Sequence, residues 1–356
     1  RSEKIKKALI LSRVTLGADV EITSIIWQKL KTTLPRAELV LLGSGKLREL
    51  FGGERRLRIR PIEYDRSGHL VDRLSSWLSV VEAVAEETRD LHPDEFIIVD
   101  PDSRLTQLGM LPVVSDERSY YFFESRRYRR RGAESLGQLT AHWVNDVFGG
   151  GERLFPRVSL RRQDLDFART VIRHIRRDRQ CPLISVNFGV GENPKKRLPD
   201  PFERELVMRL VRDGATILLD KGASAEEAAR IEAIVEAVRA SGRRVVELSE
   251  AGVSRPVEAE GRGVDVFTWR GGIGRFGALV AQTDHYVGYD SAGQHIAAAL
   301  GVPTVVIFAG YSSPRFVKRW RPAGRAPVRV VHADAARHPD VFIEEVAYVV
   351  SNPVDD

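Results

Sequence analysis

The sequence predicts an α/β protein of two lobes, each a mostly parallel sheet covered on both faces by helices. Three observations carry this reading. Short apolar runs alternate with longer segments whose apolar residues recur at helical spacing, the βαβ pattern. The alternation restarts after an arginine-rich stretch that ends near residue 180. The 356 residues are enough to bury two separate cores.

In chain order, 7–12 (KALILS) reads as a short buried strand. Beyond Val20, apolar residues recur as Ile22, Ile26, Leu30 and Leu34, a helix that Pro35 stops. Residues 38–42 form a second strand, 70–91 a long helix, 95–99 a strand, and 138–148 a helix closed by Gly149-Gly150-Gly151. An arginine-rich helix at 162–179 leads into the second series. Its strands are 182–187, 215–219, 244–248, 285–288 and 303–308, and its helices 202–212, 225–241, 275–282 and 291–300. Residues 252–263, rich in Gly, Pro and charge, read as a surface loop, and 341–350 as a closing helix. Near-continuous apolar strands belong to sheets buried on both faces, hence parallel ones. The boundary is set at 179/180. Residues 1–179 and 180–334 are then two Rossmann-like lobes, and 335–356 a helix and tail expected to pack back toward the N-terminal lobe.

Hydrophobic residues make up 43% and charged residues 29%, the balance of a globular protein rather than a disordered or membrane-spanning one. No apolar run approaches the ~18 residues a spanning helix needs; the longest candidate, 297–310, is broken by Gly301 and Pro303. The N-terminal residues are basic and then strand-like, unlike a signal peptide. A lone cysteine, Cys181, excludes an internal disulfide and a cysteine zinc site. A cytoplasmic location is therefore expected, with peripheral contact at an inner membrane surface open. The net charge is +6, a balance that attracts phosphates, nucleic acid or an anionic membrane surface. Arg162, Arg169, Arg173, Arg176, Arg177 and Arg179 crowd one helix, where a solvated, salt-bridged face is the plainer account.

The most informative segment is 289–303, YDSAGQHIAAALGVP. It lies between a strand and a helix, at the carboxyl end of a parallel sheet, where open α/β folds bind ligands. Ser291, Ala292 and Gly293 are small enough for a phosphate to approach free backbone N–H groups. The helix N-terminus there favours an anion. His295, one turn in, can reach back toward the same place. The plainer alternative makes Asp290 a helix cap and His295 a packed polar side chain; the segment taken whole favours a ligand site.

This segment resembles the donor-site signature of glycosyltransferase family 9, the ADP-heptose:lipopolysaccharide heptosyltransferases, Asp-Ser/Thr-Gly-x-x-His followed by Ala-Ala-x-Gly-x-Pro. Asp290, Ser291 and His295 keep the spacing, as do Ala298-Ala299-Leu300-Gly301-Val302-Pro303. Lys196-Arg197-Leu198-Pro199 is similar to the family's Lys-x-Trp-Pro, with Leu in place of Trp. Gly222-Ala223-Ser224-Ala225-Glu226-Glu227 is similar to its Gly-Ala-x-x-Glu-Glu, and Gly17-Ala18-Asp19-Val20 to its Gly-Asp, with Ala18 between. The chain departs where Ala292 replaces Gly, and where Phe308-Ala309-Gly310-Tyr311 replaces Phe-Gly-Pro-Thr.

The resemblance implies a GT-B-like fold, two Rossmann-like lobes facing across a cleft. It implies a metal-independent inverting glycosyltransferase that uses no cofactor beyond its nucleotide-sugar substrate. The implied donor is ADP-heptose and the implied acceptor a lipopolysaccharide-core-type or other anionic glycan. Asp19 would be the base, with a plain N-cap of the helix beginning at Val20 as the alternative. Lys196 would stabilise the leaving diphosphate. Lys195, Arg197, Asp290, Ser291, Ala292, Gly293 and His295 would bind the donor, with Glu226 at the ribose. The acceptor lobe holds SRRYRRR at 125–131. Arg126, Arg127, Arg129 and Arg130 there could grip an anionic acceptor bidentately, or could form a solvated loop.

Other patterns compete weakly. Gly272-Ile273-Gly274-Arg275-Phe276-Gly277 matches G-x-G-x-x-G but opens no fresh βαβ unit with a later acidic residue, so it reads as a loop entering a helix. Asp100-Pro101-Asp102 imitates a metal-binding Asp-x-Asp, yet no metal is expected. Two rivals remain. One is transfer of another nucleotide sugar, or its epimerisation, on the same fold. The other is a non-catalytic basic protein that binds nucleotide or nucleic acid with steep salt dependence, although no nucleic-acid partner is expected.

Overall fold

The computed structural model describes residues 3–64, 69–176, 181–191, 193–250, 263–333 and 337–352. The chain divides into two compact units, Arg1–Ser159 and Leu160–Asp356.

In the first unit, strands β1 (Lys7–Leu11), β2 (Glu38–Gly43), β3 (Leu57–Pro61), β4 (Phe96–Asp100) and β5 (Tyr120–Phe122) form one parallel sheet in the order β3-β2-β1-β4-β5. The central strands are buried apolar runs; Leu9, Leu11, Val40, Leu42 and Ile98 share a core with Val80, Ala83 and Val84. Those last three lie on α4 (Leu70–Thr88). The first connection is a helix in three pieces: α1 (Leu16–Ala18), a π-helical turn at Asp19–Thr23, and α2 (Ser24–Thr33). It starts four residues before Val20. Helices α3 (Leu47–Phe51) and α5 (Leu136–Phe148) complete the unit, α5 behind a capping box in which Ser135 and Gln138 exchange side-chain and backbone bonds.

The second unit opens with α6 (Arg162–Arg176). The expected boundary at 179/180 leaves this helix with the first lobe. In the structure it packs on α9 (Ile273–Val280), with Phe167 against Trp269, and so belongs to the second unit. The sheet comprises β6 (Leu183–Asn187), β7 (Thr216–Asp220), β8 (Val245–Ser249), β9 (Val266–Arg270), β10 (His285–Tyr289), β11 (Thr304–Ala309) and β12 (Val328–Ala333). Its order is β12-β11-β10-β6-β7-β9-β8, all neighbours parallel. One face packs on α7 (Phe202–Arg212), α8 (Ala225–Ala240) and α12 (Pro339–Ser351) through Phe202, Leu206, Ile234 and Phe342. Helices α10 (Ala292–Ala299) and α11 (Pro314–Trp320) follow β10 and β11.

Three expectations are corrected or settled here. The closing helix, expected to reach back to the first lobe, packs as α12 on α7 and β12 of its own unit, because its buried face, Phe342, Ile343, Val346 and Val350, completes that core. The G-x-G-x-x-G segment leads into α9, as a loop entering a helix. Along α6, Arg162 and Arg169 pair with Asp166 and Arg176 with Asp284, the salt-bridged face of the plainer account. Arg177, Arg179, the loop at 252–262 and the tail at 353–356 lie outside the described residues.

Candidate active site

In the second sheet the chain leaves β9 and returns on the far side of β6 to form β10, so the direction of winding reverses between β6 and β10. Ligands of open α/β sheets bind outside the carboxyl ends of the strands at such a point. The segments that follow these two strands meet there. Lys196, in a short 3₁₀ turn at Pro194–Lys196, places its Nζ 2.5 Å from Asp290 Oδ2 and donates to the Asp290 carbonyl oxygen at 3.1 Å. Asp290 Oδ1 accepts from Gln294 Nε2 at 2.7 Å. The ammonium also stands 5.8 Å from the centre of the Phe316 ring, within cation–π reach. Gly310, at φ 57°, allows the turn this close to β11: a Cβ there would collide with the Lys195 carbonyl oxygen.

Asp290 does not cap the helix. Ser291 is the N-cap residue, and its side chain makes no cap bond. The N-cap side chain thus leaves the first-turn N–H groups of α10 uncapped, as an anion site requires. The Ser291 hydroxyl is buried beside the Tyr286 phenol instead. His295 is buried with its ring 6.0 Å from that of Trp320, and its Nε2 is 3.3 Å from Gln294 Nε2.

The expected donor residues thus separate. Lys196, Asp290, Ser291, Ala292 and Gly293 come together, with exposed Lys195 on the same turn. Arg197 is drawn off by buried Glu203, 2.8 Å from its Nε. Glu226 faces solvent on α8 and pairs with Arg230 at 2.9 Å. Its neighbour Glu227 turns inward: its Oε2 accepts from Ala223 N at 2.9 Å and Ser224 N at 3.2 Å. Gly222, at φ 74°, leaves room for that carboxylate.

Sequence reasoning missed one pair altogether. Asn187 and Asp220 end the neighbouring strands β6 and β7, and Asn187 Nδ2 donates to Asp220 Oδ2 at 2.5 Å. Burial pushes the Asp220 carboxyl up to about 7, against the Gly222 N–H and Asn187 bonds that favour its charged form. A polar residue ending an apolar strand, LISVN and TILLD, was the available signal.

In the first sheet the reversal falls between β1 and β4, and the segments after these strands again carry acids. Asp19 is buried inside the π turn, and Thr15, not Asp19, occupies the N-cap position. The capping alternative therefore fails. Asp19 Oδ2 accepts from Ser12 Oγ at 2.7 Å, and Oδ1 from Arg13 N at 2.7 Å and Thr23 Oγ1 at 2.8 Å. Burial pushes its pKa up to about 6 despite these donors. The residue between, Val14, holds φ 74°, a costly conformation for a β-branched side chain. Asp100 accepts from Ser103 N, Thr106 Oγ1 and Tyr120 OH. Asp102 accepts from Ser125 Oγ and Arg126 NH1. Both carboxylates of the Asp-x-Asp pattern are thus occupied by protein donors.

The arginine cluster is partly neutralised. Arg126 lies 2.7 Å from Asp102, Arg127 3.3 Å from Glu124 and Arg130 3.4 Å from Asp146; Arg129 is exposed. Among the described residues no helix is long and apolar enough to cross a membrane.

The fold is that of the GT-B glycosyltransferases. The second unit carries the family signature: residues 270–341 match the model of glycosyltransferase family 9 (heptosyltransferase). Similar solved structures share the fold. The family 9 glycosyl transferase of Veillonella parvula aligns with TM-score 0.66 at 15% identity, over 96% of this chain and 91% of that one. ADP-heptose lps heptosyltransferase II of E. coli aligns with TM-score 0.63 at 15% identity, over 97% and 98%. E. coli heptosyltransferase WaaC, solved with ADP-2-deoxy-2-fluoro heptose, aligns with TM-score 0.59 at 11% identity, over 97% and 99%. A search of curated protein sequences gives no match.

Proposed function

We propose that the chain is a metal-independent inverting transferase that moves a heptose from ADP-heptose to an anionic, lipopolysaccharide-core-type glycan. The observation that carries this is the Lys196–Asp290 pair at 2.5 Å, set beside the uncapped N-terminus of α10 where the winding reverses. A cation and a row of N–H groups at that place suit a leaving nucleoside diphosphate, whose charge grows as the anomeric bond breaks. In an inverting displacement the acceptor oxygen bonds to the anomeric carbon as the diphosphate departs, and the hydroxyl proton goes to a base. Asp19, with a pKa of about 6, is suited to take it near neutrality. The solved complexes of similar folds, with ADP and an ADP-heptose analogue, support adenine as the base. Arg129 and its neighbours suit an anionic acceptor or a peripheral contact with the cytoplasmic face of a membrane.

A melting panel with ADP, UDP, GDP and CDP tests the donor, since a tight ligand raises apparent stability by mass action. ADP should give the largest shift, and transfer from ADP-heptose should survive EDTA. A shift with UDP and none with ADP would sink the heptosyl reading while leaving sugar transfer intact. Loss of transfer on chelation, restored by Mg²⁺, would remove metal independence. Consumption of donor without acceptor would favour epimerisation.

A further inference from the structure

Within α10, Gly293 lies where alanine would serve the helix better. Neither Gly293 nor Gly288, two residues before the helix's approach at Asp290, has positive φ. Their reason is space. Tyr286 on β10 is fully buried, and its phenol reaches up beneath the first turn of α10. A Cβ at Gly293 would run into the Tyr286 hydroxyl and lie 3.0 Å from the ring carbon that bears it. A Cβ at Gly288 would lie 2.7 Å from the same hydroxyl, and 2.6 Å from the Asn187 carbonyl oxygen. That hydroxyl meets no partner of ordinary hydrogen-bond geometry, and neither does the buried Ser291 hydroxyl beside it. Ser185, in register with Tyr286 on β6, adds a third buried hydroxyl of this kind. The Tyr286 and Ser291 hydroxyls have only one another for company beneath the first turn of α10, and weakly satisfied buried hydroxyls cost stability, which marks a place kept for function.

We propose that Tyr286 is a positioning residue for the donor's diphosphate. Its phenol props the first turn of α10 from below and keeps the Ser291 side chain turned inward, so that the backbone N–H groups of Ala292 and Gly293 meet the anion. The proposal rests on the diphosphate reading of this site and adds the residue that sets its height. A phenol at 286 demands glycine at 293, where all the nearest atoms are its own; with a smaller residue below, the turn would settle toward the sheet and its N–H groups would retreat.

The test is titration calorimetry of ADP, with UDP as a second nucleoside diphosphate, on the full chain and on Y286F, G293A and the double variant, with melting recorded for each. Tyr286→Phe should melt close to the parent yet bind the better nucleotide about tenfold more weakly, as expected for a small loss of positioning. Gly293→Ala should bind more weakly still, because its methyl group displaces the turn. The double variant should recover part of that loss, since removing the hydroxyl makes room for the methyl. Parent-like affinity in Y286F, or losses that merely add in the double variant, would reduce Tyr286 to packing and overturn the proposal. A parent chain that binds neither nucleotide would overturn the reading of the site itself, and the proposal with it.

Discussion

At Asp19 a carboxylate lies among three donors and is still held at a pKa of about 6, because burial outweighs the hydrogen bonds. The sign of the stability effect follows. The folded pKa exceeds the ordinary value of 3.8, so the native state holds its proton more tightly than the unfolded chain does. This contribution is full below pH ~4 and is lost as pH rises through about 6. Above that, the buried charge costs up to about 3 kcal/mol. Asp19→Asn removes the charge and keeps the shape. Its melting point relative to the parent should therefore climb between pH 4 and 7, then level off. Transfer by the parent should rise through pH ~6 as the base loses its proton, and the Asn variant should fall by about 10²-fold or more at every pH. Near-normal transfer by the variant would leave Asp19 a structural residue. Asp19 itself was legible from its place after the first strand. Its setting was not, since the π turn arises from an earlier helix start at Leu16 that apolar spacing does not show. Tyr286 was invisible for a related reason. Its partner Gly293 is a neighbour only once strand and helix have folded back on one another.

Among elements, legibility followed burial only in part: edge strand β8 was expected at 244–248, whereas β9 (VFTWR), buried between β7 and β8, was missed. β4 (FIIVD), β6 (LISVN), β7 (TILLD) and β11 (TVVIFA) are apolar runs, and each was expected within a residue or two. β3 (LRIRP) and β12 (VRVVHA) are edge strands, the first alternating arginine with buried apolar residues and the second interrupted by exposed Arg329 and His332. They carry half the apolar signal of a central strand, and both were missed. β5, three residues long, offers too short a run for any period. The missed elements matter less to the site than the end of β11, where the chain packs against the turn at Pro194–Lys196. There Gly310 combines positive φ with backbone contact at Lys195. Alanine would carry the left-handed penalty of about 1–2 kcal/mol and drive its methyl into a carbonyl that cannot step aside without moving Lys196. Gly310→Ala should therefore melt several degrees lower and bind nucleoside diphosphate at least about tenfold more weakly. A variant that melts lower but binds as the parent does would show that β11 does not set the position of Lys196.

Over the whole chain, two parallel sheets each reverse their winding once, and each reversal gathers acids and their partners at strand ends. Symmetry of architecture leaves open which reversal serves the nucleotide, so charge and backbone decide. The point after β1 and β4 presents Asp19, Asp100 and Asp102, whose oxygens already accept hydroxyl, guanidinium and backbone donors. Anions find little to bind among such acceptors. The point after β6 and β10 presents Lys196 and the uncapped start of α10, which do suit an anion. Hydrogen exchange can separate the two across the full molecule, because ligand contact slows the opening of the segments it touches. Saturating ADP should slow exchange at 193–198, 221–227 and 289–295, all in the second unit, and leave 12–23 and 100–106 at their ligand-free rates. Within 289–295 the largest protection should fall on the amides of Ala292 and Gly293, the N–H groups proposed to meet the diphosphate. Protection centred on 12–23 and 100–106, with 289–295 unchanged, would transfer the donor to the first unit and make Lys196 and Asp290 a purely structural pair.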